Sequence, residues 1–231
     1  MFLKNTMNTR SFSEIDGRLT HLLVRSDRLD SLDDEDMDYL LGSNIKTIID
    51  LRESKDRNST VINSGKFDYN IFDFYITAWS KLKEEYGEKI NDVIYDILPE
   101  QYLGYAEQRE VIFKIFKKII EAKNGVLIMC HYGKDRTGAV VALLLLVAGI
   151  EENIIIRDYA VSSENVGRGS GQGIRGLFES KPIVMKSFLE KFYARFKDVA
   201  SYLRYVGINE DEYQILKMKL LQGGERWRIM N

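Results

Sequence analysis

The sequence of 231 residues has one cysteine, no long apolar run and no large surplus of either charge. A single cysteine cannot form an internal disulfide, which is typical of proteins in a reducing compartment. The N-terminal segment also lacks the continuous apolar stretch of a signal peptide. We therefore expect a cytoplasmic protein, with secretion by a route that needs no signal peptide as the remaining alternative.

Two further absences concern the partners of the protein. The longest apolar run, Ala139–Ala148, has ten residues, whereas a helix needs about 20 to cross a bilayer, so no membrane span is expected. The net charge of −2 and the pI close to 5.9 give no overall attraction for nucleic acid or anionic lipid, because those partners favour basic surfaces. Any recognition of an anion must depend on a local group of residues.

The sequence does contain 45% apolar and 11% aromatic residues, which is ample for a globular core. Residues 45–52, IKTIIDLR, have the β-branched centre and the polar end of a buried strand. Residues 67–71 alternate apolar and polar side chains, and VLIMC at 126–130 is a short apolar strand. Strands that alternate with helices predict an α/β fold with a central, mostly parallel sheet flanked by helices.

Apolar residues recur at helical spacing through much of the rest of the chain. We predict helices at residues 31–42, 80–97, 105–122, 137–149, 184–196 and 210–221. Ser31 is expected to cap the first helix, Pro99 to separate the second from the third, and Gly125 to end the third in a left-handed conformation. The helix that begins at Thr137 is apolar nearly all round, so it should lie under other layers.

A glycine-rich stretch at residues 167–176, GRGSGQGIRG, interrupts this pattern, since five of its ten residues are glycine. Such a segment is costly to hold in one conformation. It is interpreted either as a lid within residues 163–181, in which Arg168 and Arg175 reach a charged substrate, or as a plain flexible connection, and the connection is favoured. The whole chain, residues 1–231, is expected to form one domain.

The stretch CHYGKDRTG, residues 130–138, follows a predicted buried strand and precedes a predicted buried helix. Ligands bind at this position in α/β sheets. The loop must turn back between the two elements, so several backbone N–H groups are expected to point toward the start of the helix and to form a nest for a phosphate ion. The residues expected to bind the phosphate are His131, Tyr132, Gly133, Lys134 and Arg136.

The residue types in this loop favour the transfer of a phosphoryl group. The N–H dipoles and the guanidinium of Arg136 favour the thiolate form of Cys130, which would face the bound phosphorus as a nucleophile. Arg136 can donate two parallel hydrogen bonds to phosphate oxygens. Gly133 allows a backbone conformation that a side chain would block, and Thr137 can donate to the sulfur when the phosphoryl group leaves it.

Each residue alone also has a simpler interpretation. A lone cysteine is usually a buried space-filling residue, and rhodanese-like sulfur carriers have active cysteines on loops of similar length. A purely structural loop, however, does not require Cys130, Gly133, Arg136 and Thr137 together between a buried strand and a buried helix. We therefore interpret residues 130–137 as a functional site.

Residues 130–137, CHYGKDRT, resemble the signature Cys-x-x-Gly-Lys-Asp-Arg-Thr of bacterial atypical protein tyrosine phosphatases with dual or triple specificity, which are related to lipid phosphatases. Four further segments resemble that family: residues 8–10, 25–53, 157–165 and 202–221. The resemblance implies a protein tyrosine phosphatase-like α/β fold. It also implies dephosphorylation through a phosphocysteine intermediate, without a metal or another cofactor.

The chain departs from this family at the residue before the cysteine. Many members have a histidine there, where this chain has Met129. Cys130 is then expected to be less strongly activated. His131 follows the cysteine instead and is expected to contribute a backbone N–H and, when protonated, some positive potential.

A general acid must give a proton to the leaving oxygen of the substrate, and the same group later activates water. The chain has no Trp-Pro-Asp motif, and residues 72–79, FDFYITAW, offer Asp73 without a proline. The resemblance implies Asp135, inside the loop, as the acid, with Asp50 at a neighbouring strand end and then Asp73 as alternatives. Each of these carboxylates also has a structural interpretation, as the partner of a nearby cation or as a surface group.

The expected function is hydrolysis of phosphotyrosine, with phosphoserine, phosphothreonine, and phosphoinositides or inositol phosphates as additional candidate substrates. Lys134 and His131 make the loop more cationic than phosphotyrosine alone requires, which favours the highly charged inositol substrates. The alternatives are a catalytically inactive phosphate-binding module and a sulfur carrier. Cys130, Arg136 and Thr137 argue against the inactive module, and the order Gly-Lys-Asp argues against the sulfur carrier.

Overall fold

The structure is a computed structural model that describes residues 3–53, 61, 64–74, 79–166 and 178–221. It has an α/β fold in which helices flank a mostly parallel sheet, as the sequence predicts. The segment 167–176, predicted to be a lid or a flexible connection, lies outside the described residues.

Within the described residues the sheet has five strands: β1 (Arg10–Ser11), β2 (Leu23–Ser26), β3 (Ile45–Asp50), β4 (Asp68–Ile71) and β5 (Gly125–Met129). Their order is β1-β2-β5-β3-β4, and only β1 runs antiparallel to its neighbour. β5 is buried along its whole length, because it pairs with β2 on one side and with β3 on the other. The strands predicted at 45–52, 67–71 and 126–130 are confirmed to within two residues at their ends.

The carboxyl ends of the three inner strands lie at one level of the sheet. Met129 of β5 pairs with Ser26 of β2 and with Asp50 of β3. The chain segments that follow these three residues therefore start side by side. The parallel register thus brings three distant parts of the chain to the edge at which open α/β sheets bind ligands.

The helices are, in chain order, α1 (Phe12–Ile15), α2 (Asp34–Gly42), α3 (Trp79–Tyr86), α4 (Ile90–Glu107), α5 (Arg109–Glu121), α6 (Asp135–Ala148), α7 (Glu152–Val166), α8 (Pro182–Phe196), α9 (Val199–Val206) and α10 (Glu210–Leu220). Every residue of α6 from Arg136 to Ala148 is buried, which confirms that this apolar helix lies under other layers. It ends before Gly149, whose φ of 79° is the left-handed conformation that glycine adopts readily.

α6 packs against β2 and against the helices α4, α7 and α10. The polar loop before it therefore connects the central strand to a fully surrounded helix, and both of its ends are fixed by packing. Within the described ranges, no helix combines the length and the apolar character needed to cross a lipid bilayer.

Two of the predicted helix boundaries are wrong. Asp33, not Ser31, caps α2, because its side chain accepts a hydrogen bond from a backbone N–H of the first turn. Gly125 does not end a helix but begins β5, and its φ is not positive. A Cβ on Gly125 would lie 2.4 Å from the side chain of Ile45 and 2.7 Å from Leu22 O, so the strands require glycine for their close approach.

The predicted helix break near Pro99 is also wrong. Pro99 is buried inside α4, and the breaks occur at a 3-10 turn, Gly87–Lys89, and at Gln108. A proline within a helix removes a backbone hydrogen bond and costs about 3 kcal/mol. Because α4 buries apolar side chains both before and after Pro99, tertiary packing overrides the local preference.

Candidate active site

The loop between β5 and α6 begins with Cys130, which is 2% exposed and directly follows the central strand. α6 begins at Asp135, with Lys134 as its N-cap. The predicted order of buried strand, short polar loop and buried helix is therefore confirmed. The loop lies at the carboxyl edge of the sheet.

Two carbonyl groups of this loop accept hydrogen bonds from side chains at the N-terminal part of the chain. Tyr132 O accepts from Asn8 Nδ2 at 2.9 Å. Gly133 O accepts from Arg25 Nη2 at 2.6 Å and from Asn8 Nδ2 at 3.2 Å. Side chains near β1 and on β2 thus hold the backbone of the loop.

The direction of the loop carbonyls determines the direction of its N–H groups. The preceding carbonyl, His131 O, likewise accepts from the N–H of Arg28 at 3.1 Å. A trans peptide unit points its N–H opposite to its C=O, so the N–H groups of residues 132–134 face away from these donors. The first N–H groups of α6 have no acceptor within the helix. Together they form a row of donors, and such rows bind oxyanions in other proteins.

Gly133 has a φ of +63°, in the left-handed region. A Cβ at this position would lie 2.5 Å from Ser26 O and 2.7 Å from the N atom of Asp27. Both are backbone atoms at the end of β2, which cannot rotate away as a side chain can. Because only glycine combines this φ with this close approach, the predicted reason for Gly133 is confirmed.

Buried charged side chains support the loop on the side of β1 and β2. Asp158 of α7 accepts from Arg10 Nε at 2.8 Å and also from Arg25 Nη1. Arg10 donates in turn to Asn8 Oδ1 at 2.6 Å, so the two side chains that hold the loop carbonyls belong to one network. Burial and the neighbouring charge of Arg10 lower the pKa of Arg25 to about 10, and Asp158 opposes this shift.

Arg136 and Thr137 are buried in the first turn of α6. Arg136 Nη1 donates to Leu51 O at 3.2 Å, so the segment after β3 positions the guanidinium. Thr137 Oγ1 is buried and has no hydrogen-bond partner among the residues that the structure describes. A buried hydroxyl without a partner is costly, and this hydroxyl is the one predicted to donate to the sulfur of Cys130.

Asp135 has a side chain that is 17% exposed and two donors on one oxygen. Its Oδ1 accepts from Tyr102 OH at 2.5 Å and from Lys134 Nζ at 2.9 Å. The hydroxyl of Tyr102 also lies 2.8 Å from that of Tyr159. The contact with Lys134, which was the structural alternative expected for Asp135, is therefore present. Both residues lie at the start of α6.

Lys134, which is predicted to bind phosphate, is completely buried. Its Nζ also donates to Glu179 O at 3.3 Å, so its charge is directed at Asp135 and at a backbone carbonyl. His131 is half-buried, and its Nε2 lies 3.5 Å from Nη1 of the exposed Arg28. Arg28, which sequence reasoning did not identify, therefore adds positive charge on the exposed side of the loop.

Asp50 is completely buried at the end of β3. Arg52 donates to both of its oxygens, through Nε at 3.1 and 3.2 Å and through Nη2 at 3.0 Å. The hydroxyl of Tyr69 donates to Oδ2 at 2.7 Å. These contacts correspond to the structural interpretation of Asp50 as the partner of Arg52.

Asp73 follows β4 and is half-buried. β3 lies between β4 and β5, so a whole strand separates Asp73 from the strand that leads into the loop. Of the three carboxylates considered from the sequence, only Asp135 belongs to the loop and helix start. In the part of the chain that the structure describes, no three side chains of His, Cys, Asp or Glu are grouped so as to hold a metal ion.

Sequence reasoning missed Asn8, Arg25, Asp158 and Tyr102 as parts of the site. Arg25 gave a usable indication, because it is a charged residue inside the apolar strand LLVRS and a buried charge needs a partner. Asn8 and Asp158 lie in segments 8–10 and 157–165, which resemble the phosphatase family but do not by themselves indicate a contact with the loop, and Tyr102 has no local signature. Asn8 is 124 positions from the carbonyl of Tyr132 in the chain, and Tyr102 is 33 positions from Asp135.

A mostly parallel sheet whose central strand leads through a glycine-dependent loop of donors into a buried helix fits the protein tyrosine phosphatase-like fold. The family model described as the tyrosine phosphatase family matches residues 1–222. The chain therefore belongs to the tyrosine phosphatase family.

Two relatives have names that agree with this assignment. The chain is 28% identical to the tyrosine-protein phosphatase of Nostoc commune, over 87% of this chain and 74% of the relative. It is 27% identical to the triple specificity protein phosphatase PtpB of Mycobacterium tuberculosis, over 62% of this chain and 62% of the relative. The resemblance noted from residues 130–137 is thus confirmed at the level of the tyrosine phosphatase family.

Proposed function

We propose that this chain is a cysteine-dependent phosphatase that hydrolyses phosphotyrosine through a phosphocysteine intermediate. The observation that carries the proposal is the orientation of the carbonyls of residues 131–133, which point toward their donors in the segments around β1 and β2. The N–H groups of the same peptide units face the opposite way and form a row of donors in the loop that begins at Cys130. Membership of the tyrosine phosphatase family supports the same chemistry. The phosphate group of the substrate occupies the row of donors together with the guanidinium of Arg136.

In the first step, the thiolate of Cys130 attacks phosphorus, and the bond between phosphorus and the tyrosine oxygen breaks. The loop N–H groups and Arg136 stabilise the charge on the three non-bridging oxygens. Asp135 gives its proton to the leaving oxygen, so tyrosine departs as a neutral phenol.

In the second step, the Asp135 carboxylate takes a proton from water, and the resulting hydroxide attacks the phosphorus of phosphocysteine. The P–S bond breaks and inorganic phosphate is released. The hydroxyl of Thr137 donates to the departing sulfur, which gives this buried group the partner that it lacks among the described residues. Each turnover restores the thiolate and the protonated acid.

The nucleophile is tested by hydrolysis of p-nitrophenyl phosphate under reducing conditions with a chelator present. We expect turnover by the native protein and none by Cys130→Ser, while both proteins bind inorganic phosphate and have the same circular dichroism. Turnover that persists in Cys130→Ser contradicts the cysteine mechanism. Phosphate binding without any turnover by the native protein would instead indicate an inactive phosphate-binding module.

The general acid is tested with Asp135→Asn, Asp50→Asn and Asp73→Asn. A group that must be protonated gives kcat/KM a basic limb, a decline at high pH. We expect this limb to disappear in Asp135→Asn alone. Asp50→Asn should instead destabilise the protein, because Arg52 loses a buried charged partner. A basic limb that persists in all three variants excludes these carboxylates as the acid.

We propose phosphotyrosine as the main substrate, with phosphoserine, phosphothreonine and phosphoinositides or inositol phosphates as additional ones. Arg28 and His131 on the exposed side of the loop support the more highly charged substrates. The test is a parallel assay on phosphopeptides and on a soluble phosphoinositide, with Arg28→Gln as the variant. We expect Arg28→Gln to lower activity on the phosphoinositide more than on phosphotyrosine. Activity on phosphotyrosine peptides alone ends the inositol proposal.

We also propose that the protein acts in the reducing environment of the cytoplasm. Cys130 is the only cysteine, so no second thiol is present to protect it as an internal disulfide after oxidation. Fractionation of the source cells should therefore recover the protein with cytoplasmic markers, and recovery in the extracellular medium contradicts this location.

A further inference from the structure

We propose that Tyr102 is a positioning residue that determines which oxygen of Asp135 carries the catalytic proton, and that Tyr159 holds Tyr102 in place. The inference rests on the proposed role of Asp135 as the general acid. Tyr102 lies on α4 and Tyr159 on α7, whereas Asp135 is the first residue of α6. Three helices thus contribute to the chain of hydrogen bonds that ends at this carboxyl group.

Both donors to Asp135 reach the same oxygen. Tyr102 OH lies 2.5 Å and Lys134 Nζ 2.9 Å from Oδ1. A protonated carboxyl group has one hydroxyl oxygen and one carbonyl oxygen, and an oxygen that accepts from two donors takes the role of the carbonyl oxygen. The proton is therefore carried by Oδ2.

The direction of the hydrogen bonds along this chain of hydroxyls follows from the single proton of each tyrosine. Burial and the neighbouring Asp135 carboxylate raise the pKa of Tyr102 well above its ordinary value, so its hydroxyl stays protonated. Because Tyr102 donates its proton to Asp135, the hydroxyl of Tyr159, 2.8 Å away, must donate to the Tyr102 oxygen. Burial also raises the pKa of Tyr159.

Packing holds the two tyrosines in this relation. Their rings meet edge to face with centroids 5.9 Å apart, a favourable geometry for aromatic pairs. The ring of Tyr159 lies against Gly138 of α6, where a Cβ would be 3.3 Å away. The hydrogen-bond chain is therefore attached to the same helix that carries Asp135.

This arrangement has a consequence for both chemical steps. With Oδ1 held by Tyr102, the same oxygen, Oδ2, gives the proton to the leaving group and later takes one from water. Without the hydroxyl of Tyr102, the carboxyl group loses one of the two contacts that define its rotation, and the fraction of productive orientations falls. The loss concerns proton transfer, so it should depend on how much the leaving group needs a proton.

The experiment compares Tyr102→Phe with Tyr105→Phe as a matched control. Tyr105 lies one turn further along α4 and is equally buried, and its hydroxyl has no hydrogen-bond partner among the described residues. The substrates are phenyl phosphate, whose leaving group needs a proton, and 2,4-dinitrophenyl phosphate, whose leaving group does not. The inhibition constant of inorganic phosphate reports on binding alone.

We expect Tyr102→Phe to lower kcat/KM for phenyl phosphate by about tenfold, the upper end of the usual effect of one hydrogen bond between neutral groups. The same variant should change neither kcat/KM for dinitrophenyl phosphate nor the inhibition constant of phosphate. Tyr105→Phe should change none of these quantities. Equal losses on both substrates, or an equal loss in Tyr105→Phe, would indicate a structural role and overturn the proposal.

Asp135→Asn and the double variant separate this inference from the proposed function. A loss in Asp135→Asn that is equal for both substrates means that Asp135 is not the acid, and the proposed function then fails at that point. A loss confined to phenyl phosphate in Asp135→Asn, with no effect in Tyr102→Phe, overturns the positioning role alone. If both proposals hold, Tyr102→Phe adds no further loss in the Asp135→Asn background.

Discussion

Arg25 donates a hydrogen bond of 2.6 Å from Nη2 to the carbonyl oxygen of Gly133, and its side chain is completely buried. The donor thus lies on β2, outside the loop whose backbone it orients. Since a carbonyl held on one side leaves the next N–H facing the other, the direction of the N–H groups of residues 132–134 depends on side chains far from them in sequence.

Asn8→Ala removes the donor to Tyr132 O and Gly133 O. We expect the inhibition constant of phosphate to rise and kcat/KM for p-nitrophenyl phosphate to fall, each by about tenfold, because the loop carbonyls are freed to turn. Asn165→Ala is the control, since Asn165 donates to Asn8 Oδ1 at 3.1 Å and not to the loop carbonyls that Asn8 holds. Equal effects in the two variants would contradict the direct role of Asn8.

Gly133→Ala forces a side chain into the left-handed region and against the backbone of Ser26. We expect the free energy of unfolding, measured with urea, to fall by about 2 kcal/mol or more, and phosphate binding to be lost. Gly104→Ala is the control, because Gly104 lies inside α4 and an added Cβ would meet no described neighbour outside that helix within 4 Å. This substitution should stabilise the protein by about 0.5–1 kcal/mol. An active and stable Gly133→Ala protein would refute the argument from close approach.

Thr137→Val should separate activity from stability. The hydroxyl of Thr137 has no hydrogen-bond partner among the described residues, so its removal is expected to leave the free energy of unfolding unchanged or higher. If this hydroxyl donates a hydrogen bond to the sulfur of Cys130 during the reaction, kcat should fall by about tenfold. The control Thr20→Val should lower the free energy of unfolding and leave kcat unchanged, because Thr20 Oγ1 accepts from the N–H of Leu22 at 3.2 Å and lies outside the site. A stability loss in Thr137→Val without a change in kcat would contradict the prediction.

Lys219 predicts a pH dependence of stability. Its half-buried Nζ donates to Ala122 O at 2.6 Å and to Ile119 O at 3.3 Å. Burial lowers the pKa of Lys219 to about 8, from an ordinary value of 10.5. Between these two values the unfolded chain binds more protons at this residue than the folded chain, so the contribution of Lys219 to the free energy of unfolding rises with pH there. Below pH 8 the penalty for the buried charge is constant.

The measurement is urea unfolding of the native protein and of Lys219→Met between pH 7 and pH 10. The difference between their free energies of unfolding should stay constant up to about pH 8 and then shift in favour of the native protein. The control variant Lys186→Met removes an exposed lysine of α8 and should show no such shift. A difference that is independent of pH in Lys219→Met would refute the prediction.

Local patterns predicted the elements whose burial is uniform. β3 and β5 were found because a short run of β-branched or apolar residues suits a strand covered on both faces. α6 was found because it is apolar all round. The break assigned to Pro99 was wrong, since α4 continues through it. A local preference of about 3 kcal/mol is small beside the burial of several large side chains.

The difference between local pattern and tertiary packing applies to the site as well. Residues 130–137 could be identified from sequence because a strand end, a glycine and the first turn of a helix are contiguous, and contiguity determines their proximity. The burial of Lys134 against Asp135 is visible only in the folded protein, and its predicted contact with phosphate stays a prediction. The contacts that Asn8, Arg25 and Asp158 make cannot be derived from local sequence, since they join residues 124 and 133 positions apart in the chain.

By itself, the sequence determined which chemical groups the loop contains and the strand and helix that carry it, because both follow from hydrophobic pattern and short-range geometry. The direction in which the loop faces and the neighbours that hold Asp135 follow from the folded arrangement instead. The physical reason is the parallel register of β2, β5 and β3, which places Ser26, Met129 and Asp50 at one level of the sheet. That register depends on packing across the whole core, which no segment of the chain specifies alone.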